Sequence, residues 1–275
     1  MSGQESRADG EPQPSPEGGE GRSPLRFLVT NDDGIHARGL RLLAGAARDL
    51  GHVEVAAPDR QQSASSHSLT MHRPLRVTRT EHGGYVVDGT PTDCVLLAVN
   101  ELLDEPPDFV VSGVNHGPNM GEDVLYSGTV AAAMEATILG IPSIAVSFAG
   151  NREDRLRRFG PRVRELLAAL TRRDDFPEET FFNINLPPIH ADEVRGVKVT
   201  ALGRRVYSDS LTRNEDPHGR EYFWIGGGQS HWTGREDSDF RAVQAGYVSV
   251  TPLHLDLTNF ELMERVRSWR LDTGT

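Results

Sequence analysis

The sequence predicts an α/β fold, with a Rossmann-like, mostly parallel sheet, flanking helices and a β-rich arm towards the C-terminus. Short apolar runs rich in β-branched residues alternate with longer segments whose apolar residues recur at helical spacing. Several of these runs end directly in polar loops, as strands do at the ligand-binding edge of a parallel sheet. The chain has 275 residues, of which 37% are hydrophobic, enough for a sizeable core.

The first β-α-β unit lies at residues 25–58. The run Leu25–Thr30 predicts a strand, and residues 31–34, Asn-Asp-Asp-Gly, end it. Apolar residues at helical spacing over residues 40–50 predict a helix, and Gly51 is a plausible end for it. Residues 53–57 predict a second strand, which Pro58 ends. This order predicts parallel pairing of the two strands.

The middle of the chain continues the alternation. Residues 59–70 are polar and serine-rich, and two short strands are expected at 75–78 and 85–87. Thr90 and Pro91 form a good helix start. Further predicted elements are a strand at 109–111, a loop at 112–119, a helix from Ser127 to Gly140, a strand at 144–148 and a helix at 154–172.

The C-terminal part has a different texture. Strands are expected at 181–186, 197–202 and 247–251, and a helix at 258–270. Residues 203–240 are rich in glycine, aromatic and charged residues, and we expect an arm that joins subunits into a dimer or tetramer. Residues 1–24 are rich in Gly, Pro, Ser and Glu and predict a disordered tail. Residues 25–275 are then expected to form a single α/β domain.

Composition excludes several classes of protein. The formal net charge of −11 disfavours general binding to a nucleic acid backbone. No apolar run is long enough for a membrane span. The single cysteine, Cys94, excludes an intrachain disulfide and favours a reducing, cytoplasmic location. Lys198 is the only lysine, and no P-loop motif occurs.

Polar loops follow three predicted strands. The adjacent acids Asp32 and Asp33 follow the first strand, and the loops 58–68 and 115–119 follow two later ones. Such loops converge at one edge of a doubly wound sheet, where their oxygen atoms could surround a cation. Without a cysteine cluster, the set favours magnesium or manganese over structural zinc. The alternative is ordinary turn and helix-capping chemistry, because Asp, Asn and Ser are common in both.

The helix start at Ser127, Gly128 and Thr129 suggests a substrate class. Free backbone N–H groups and two hydroxyls make a ready anion site, although plain N-capping is the alternative. A cation beside an anion site points to a phosphate ester. His36 and His116 lie near the candidate ligands, and either could transfer a proton near neutral pH.

Several long blocks resemble the SurE family of survival-protein nucleotidases. They are VTNDDGIHARGL, APDRQQSASSHSLT, GTPTDCVLLAV, DFVVSGVNHGPNMGEDVLYSGTVAAAMEA and AVQAGYVSVTPL. They occur in the family's order between residues 27 and about 258. The resemblance implies a Rossmann-like core, a homo-oligomer and hydrolysis of nucleoside monophosphates with one divalent cation per subunit.

The resemblance also assigns residues. It implies that Asp32, Asp33, Ser63 and Asn115 hold the cation, and that Ser127, Gly128 and Thr129 contact phosphate with Asn119 nearby. Asp32 or Asp33 would serve as the general base, and the sequence does not choose between them. Hydrolysis of nucleoside 5′-monophosphates, with 3′-nucleotides as further substrates, is the leading hypothesis.

Two rival hypotheses use the same acidic pair differently. A haloacid-dehalogenase-type phosphatase would form an aspartyl-phosphate, but its two acids are normally separated by one residue. A receiver-like phospho-acceptor module would need a lysine late in the sheet, for which Lys198 is the only candidate.

Overall fold

A computed structural model describes residues 24–173, 175–207, 211–225, 230–269 and 271. The tail predicted at residues 1–24 lies, apart from Pro24, outside the described residues.

The described chain alternates strands and helices. The strands are β1 Leu25–Thr30, β2 Gly51–Pro58, β3 Val77–Arg79, β4 Tyr85–Val87, β5 Phe109–His116, β6 Ser143–Phe148, β7 Thr180–Leu186, β8 Val197–Val199, β9 Arg204–Tyr207, β10 Leu211–Glu215, β11 Glu221–Ile225, β12 Ser230–Thr233 and β13 Val248–His254. The helices are α1 Arg38–Arg48, α2 Pro91–Leu97, α3 Gly128–Ile138, α4 Glu153–Leu156, α5 Gly160–Thr171, α6 Asp239–Gln244 and α7 Phe260–Arg267.

Nine strands form the central sheet, in the order β3-β4-β2-β1-β5-β6-β7-β13-β8. The strands from β4 to β7 in this order are parallel to one another. The antiparallel pairs are β3 with β4 and β13 with β7. The predicted fold class, a parallel-rich sheet with flanking helices, is therefore confirmed.

Helices cover both faces of this sheet because successive strand residues point to opposite sides. In β1, Phe27 and Val29 belong to a core that includes α1 and α5. Leu28 points the other way, into a core built with α2 and α3. A sheet buried on both faces needs apolar residues at nearly every position, which is why these strands read as continuous apolar runs.

The structure departs from the sequence prediction at several elements. The strand predicted at 197–202 ends at Val199 as β8. The strand predicted at 109–111 continues through His116 as β5, so most of the predicted loop 112–119 lies within the sheet. Gly51, expected to end a helix, is the first residue of β2. The helix predicted at 154–172 is divided into α4, a 3₁₀ turn and α5. Small and polar residues can extend a strand when neighbouring strands satisfy their backbone groups, and sequence periodicity does not report this.

The described parts of the predicted arm form two antiparallel β-ribbons, and the arm ends where α6 begins at Asp239. Strand β9 pairs with β12, and β10 pairs with β11 between them in the chain. The aromatic side chains of β11 are largely exposed. No helix of the described residues is long and apolar enough to cross a bilayer.

Candidate active site

The site lies where the chain changes direction across the sheet. Strand β1 has β2 on one side and β5 on the other. The chain leaves β1 towards β2 and leaves β5 towards β6, so these two connections pass to opposite sides. In open α/β sheets, this change of direction creates a crevice at the carboxyl ends of the strands. The turn after β1 and the end of β5 border that crevice, and they carry the acidic pair and Asn115.

Asp32 is buried, with 4% of its surface exposed. The Thr129 hydroxyl, at the start of α3, donates a 2.6 Å hydrogen bond to its Oδ1. Burial raises the pKa of Asp32 to about 6; the Thr129 hydrogen bond opposes this rise, and the neighbouring Asp33 adds to it. The backbone N–H groups of Asp32 and Thr129 also lower the pKa, but a buried carboxylate beside a second acid still lacks full compensation for its negative charge.

Asp33 is more accessible. The backbone N–H of His116 donates to its Oδ2 over 3.2 Å, which connects the turn after β1 to the end of β5. Burial raises the pKa of Asp33 as well, and the contacts with His116 oppose the rise. No lysine or arginine of the described chain forms an ion pair with Asp32 or Asp33.

Ser63 and Asn115 line the same cleft as Asp32. The register between β5 and β6 shifts between Gly113 and Asn115, and such bulges redirect side chains near functional sites. The Asn115 amide nitrogen donates to the carbonyl of Gly117 over 2.9 Å, which leaves the side-chain oxygen available as an acceptor. The Ser63 hydroxyl accepts from the Gln61 side chain over 2.8 Å.

The start of α3 closes one side of the cleft. Ser127 is the N-cap residue, and its hydroxyl oxygen accepts the backbone N–H of Val130 over 3.1 Å. A Cβ atom on Gly128 would lie 2.9 Å from the Cβ of Asp32 and 2.8 Å from the Ser65 hydroxyl. Glycine at this position therefore lets the helix start approach the acidic turn. Thr129 is fully buried, and its hydroxyl is engaged by Asp32 rather than directed into the cleft.

Asn119 is fixed by a polar cluster that the sequence analysis missed. Its backbone N–H donates to Oδ1 of Asn185, and its carbonyl accepts from the side chains of Asn183 and Asn185, all within 2.8–2.9 Å. Its own amide donates to the Ser147 hydroxyl over 2.8 Å. The available signal was the asparagine at alternate positions of the otherwise apolar run β7, since a buried amide needs partners.

The cleft has a volume of about 680 Å³. Most of the predicted site residues border it, namely Asp32, Ser63, Asn115, Asn119 and Ser127, and His116 does as well. His36 is exposed and is not among the lining residues. No group of three or more His, Cys, Asp or Glu side chains in the described residues could hold a metal ion. A cation here would need two carboxylates supplemented by neutral oxygens, a donor set that suits magnesium or manganese.

The chain matches known proteins over most of its length. The family model "Survival protein SurE" matches residues 27–209. A protein of Gemmatimonas aurantiaca named 5′-nucleotidase SurE is 58% identical over 249 residues, 89% of this chain and 98% of that protein. Its counterpart from Geobacter sulfurreducens, with the same name, is 49% identical over 90% of this chain and 94% of its own length. The crystal structure of the SurE protein from Aquifex aeolicus is 42% identical, with a TM-score of 0.80, and the match covers 88% of this chain and 98% of that one.

Proposed function

The chain belongs to the SurE family, and we propose that its cleft hydrolyses nucleoside 5′-monophosphates to nucleoside and phosphate with one divalent cation per subunit. The observation that carries this proposal is the turn with the acidic pair, Asp32 and Asp33, beside the start of α3, where Asp32 and Ser127 line one cleft. The acidic pair needs a cation, and the start of α3 can hold a phosphate. The name of the relatives, 5′-nucleotidase SurE, supports the reaction class, a nucleotide phosphatase.

The chemistry of the donor set fits a hard cation. We assign Asp32, Asp33, Ser63 and Asn115 as its ligands, with magnesium or manganese as the ion. No lysine or arginine of the described residues forms an ion pair with Asp32 or Asp33, and the Asn115 side-chain oxygen can accept. When bound, the cation supplies Lewis-acid chemistry: it neutralises charge on the phosphoryl oxygens and makes water a stronger acid.

The protein groups have separate tasks in this proposal. The backbone N–H groups at Ser127 and Gly128, with the positive end of the α3 dipole, hold the phosphate oxygens. Asn119, fixed by its polar cluster, borders the same space. Asp32 or Asp33 accepts the proton of the attacking water, and the developing charge is stabilised at the helix start.

A phosphate-release screen tests the proposal. The protein is stripped of metal with a chelator, and nucleoside 5′- and 3′-monophosphates are offered with and without added magnesium or manganese. We expect metal-dependent release from 5′-monophosphates and a loss of at least about 100-fold in Asp32→Asn and Asp33→Asn, comparable to losing a key electrostatic group. Asp59→Asn is the matched control, because Asp59 is an exposed acid at the start of the neighbouring loop.

Near wild-type turnover in both site variants, or release that is independent of metal, would refute the assignment. Circular dichroism of each variant checks that the fold is retained.

The two rival mechanisms are not favoured. Asp32 and Asp33 are adjacent rather than separated by one residue, against the haloacid-dehalogenase pattern. Lys198 lies on β8, five strand positions from β1, which is roughly 24 Å at the usual strand spacing. Its ammonium group lies 4.3 Å from the ring centre of Tyr247, so it cannot serve the acidic pair as a receiver's lysine would.

We further propose that the chain forms a dimer or tetramer through the arm. Exposed aromatic residues on β11 and exposed apolar residues on α7 support this, since clustered apolar surface marks interaction sites. Light scattering coupled to size-exclusion chromatography tests it, and a monomer at micromolar concentration would contradict it. A cytoplasmic location is supported by the single, buried cysteine, and cell fractionation tests it.

A further inference from the structure

We infer that the ring of Tyr126 is the platform on which the nucleobase stacks, an inference that rests on the proposed nucleotide substrate. Tyr126 lines the cleft that holds Asp32 and Ser127. It directly precedes Ser127, so the aromatic ring is attached one residue from the phosphate-holding helix start. A nucleoside monophosphate fits this arrangement, because its phosphate and base are separated by one sugar.

The backbone of Tyr126 is fixed on both sides. Its N–H donates to the carbonyl of Asp123 over 3.1 Å, and its carbonyl accepts the N–H of Ser66 over 3.2 Å. These bonds connect it to the 3₁₀ turn before α3 and to the loop that carries Ser63. A ring mounted on a fixed backbone loses little conformational freedom when a ligand stacks on it.

The side chain, in contrast, is more exposed than buried. It is 59% exposed, and among the described residues neither its hydroxyl nor its ring has a hydrogen-bonding or aromatic partner. Exposed aromatic surface inside a cleft is available to a flat ligand, and base–aromatic stacking tolerates every base.

The rest of the cleft is consistent with an organic group larger than phosphate. Ala64, Pro118 and Ile225 also line it, and none of them can contribute to binding phosphate or a cation through its side chain. The polar residues hold one end of the substrate, and this apolar group surrounds the other. We therefore assign Tyr126 to base recognition and predict a broad choice of bases.

The test compares two substrates that differ by the base. Adenosine 5′-monophosphate and ribose 5-phosphate are hydrolysed by wild type, Tyr126→Leu and Tyr126→Phe in saturating manganese. In Tyr126→Leu we expect KM for the nucleotide to rise about 10-fold, within the range measured for one stacked base. Ribose 5-phosphate turnover should be unchanged, and Tyr126→Phe should behave as wild type on both substrates. Leu125→Ala is the matched control, because Leu125 is equally exposed but outside the cleft lining.

Equilibrium dialysis of adenosine supplies a readout without chemistry, and we expect the same tenfold weakening in Tyr126→Leu. Equal losses on both substrates would overturn the inference, because the ring would then be structural. Unchanged KM and unchanged adenosine affinity would also overturn it. If wild type releases phosphate from ribose 5-phosphate but from no nucleotide, the proposed function fails. Adenosine binding still tests the ring in that case.

Discussion

The hydrogen bond from Thr129 to Asp32 allows a sharp test of the site. In Thr129→Val the side chain keeps its shape and loses only the hydroxyl. The lost bond is short, 2.6 Å between oxygens, and its acceptor is a buried carboxylate. A bond of this kind to an ionised group contributes about 1.5–3 kcal/mol.

Cation binding requires Asp32 to be ionised, so that energy should appear in the affinity for the cation. At about 1.4 kcal/mol per tenfold change, the lost bond weakens cation binding by about 10- to 100-fold, the range seen when a partner of a metal ligand is removed. Titration calorimetry with manganese at about pH 5 measures the affinity. Below its pKa of about 6, Asp32 is mostly protonated in the metal-free protein, so the bond to the ionised carboxylate forms only when the cation displaces the proton. Thr129→Ser is the control, and it should remain near wild type because it keeps the hydroxyl.

Manganese affinity and inhibition by inorganic phosphate, measured on the same variants, separate two roles for Thr129. The family resemblance implies a phosphate contact, whereas the structure engages the hydroxyl with Asp32. A manganese affinity in Thr129→Val equal to that of wild type would refute our reasoning. If inhibition by inorganic phosphate weakened instead, Thr129 would be a phosphate contact.

Three further predictions concern packing, the Asn119 cluster and pH. A Cβ on Gly39 would lie 1.9 Å from a carbonyl oxygen of β5, so Gly39→Ala should lower the free energy of unfolding by about 1–3 kcal/mol in urea denaturation. Gly45 is on the same helix, and a Cβ there would have no atom within 4 Å. Gly45→Ala should therefore raise the free energy of unfolding by up to about 1 kcal/mol, and equal effects of the two substitutions would contradict the close contact at Gly39. Asn185→Leu removes two hydrogen bonds to Asn119 and should cost about 2–3 kcal/mol, with a parallel loss of turnover; an unchanged urea midpoint would contradict the role of the cluster. The pKa of Asp32 is about 6 in the folded protein, against 3.8 for an ordinary aspartate. Protonation of Asp32 therefore stabilises the fold, and this stabilisation is fully present below pH 3.8 and is lost as pH rises through 6. The metal-free protein should thus lose up to about 3 kcal/mol over that interval, relative to Asp32→Asn, and parallel pH profiles of the two proteins would refute it.

Much of the fold could be predicted from local sequence. The strands of the central sheet are short apolar runs, and Leu25–Thr30 and Tyr85–Val87 fall where the pattern predicts. The candidate ligands could be named as well, because Asp32 and Asp33 interrupt an apolar run and the surrounding blocks resemble a family. The assignment of four of these residues to one cation remains a prediction.

The tertiary structure decided what these residues contact. Local sequence sets helix and strand periods, but which strands become neighbours depends on packing over the whole sheet. The order β2-β1-β5 created the crevice, and the approach of Gly128 to the acidic turn brought the Thr129 hydroxyl to Asp32. The amides that fix Asn119 come from 64 and 66 residues away. Partners that are distant in sequence leave no local signal. The sequence by itself therefore determined the strands and predicted the candidate donor residues, and only the folded chain determined what these residues contact.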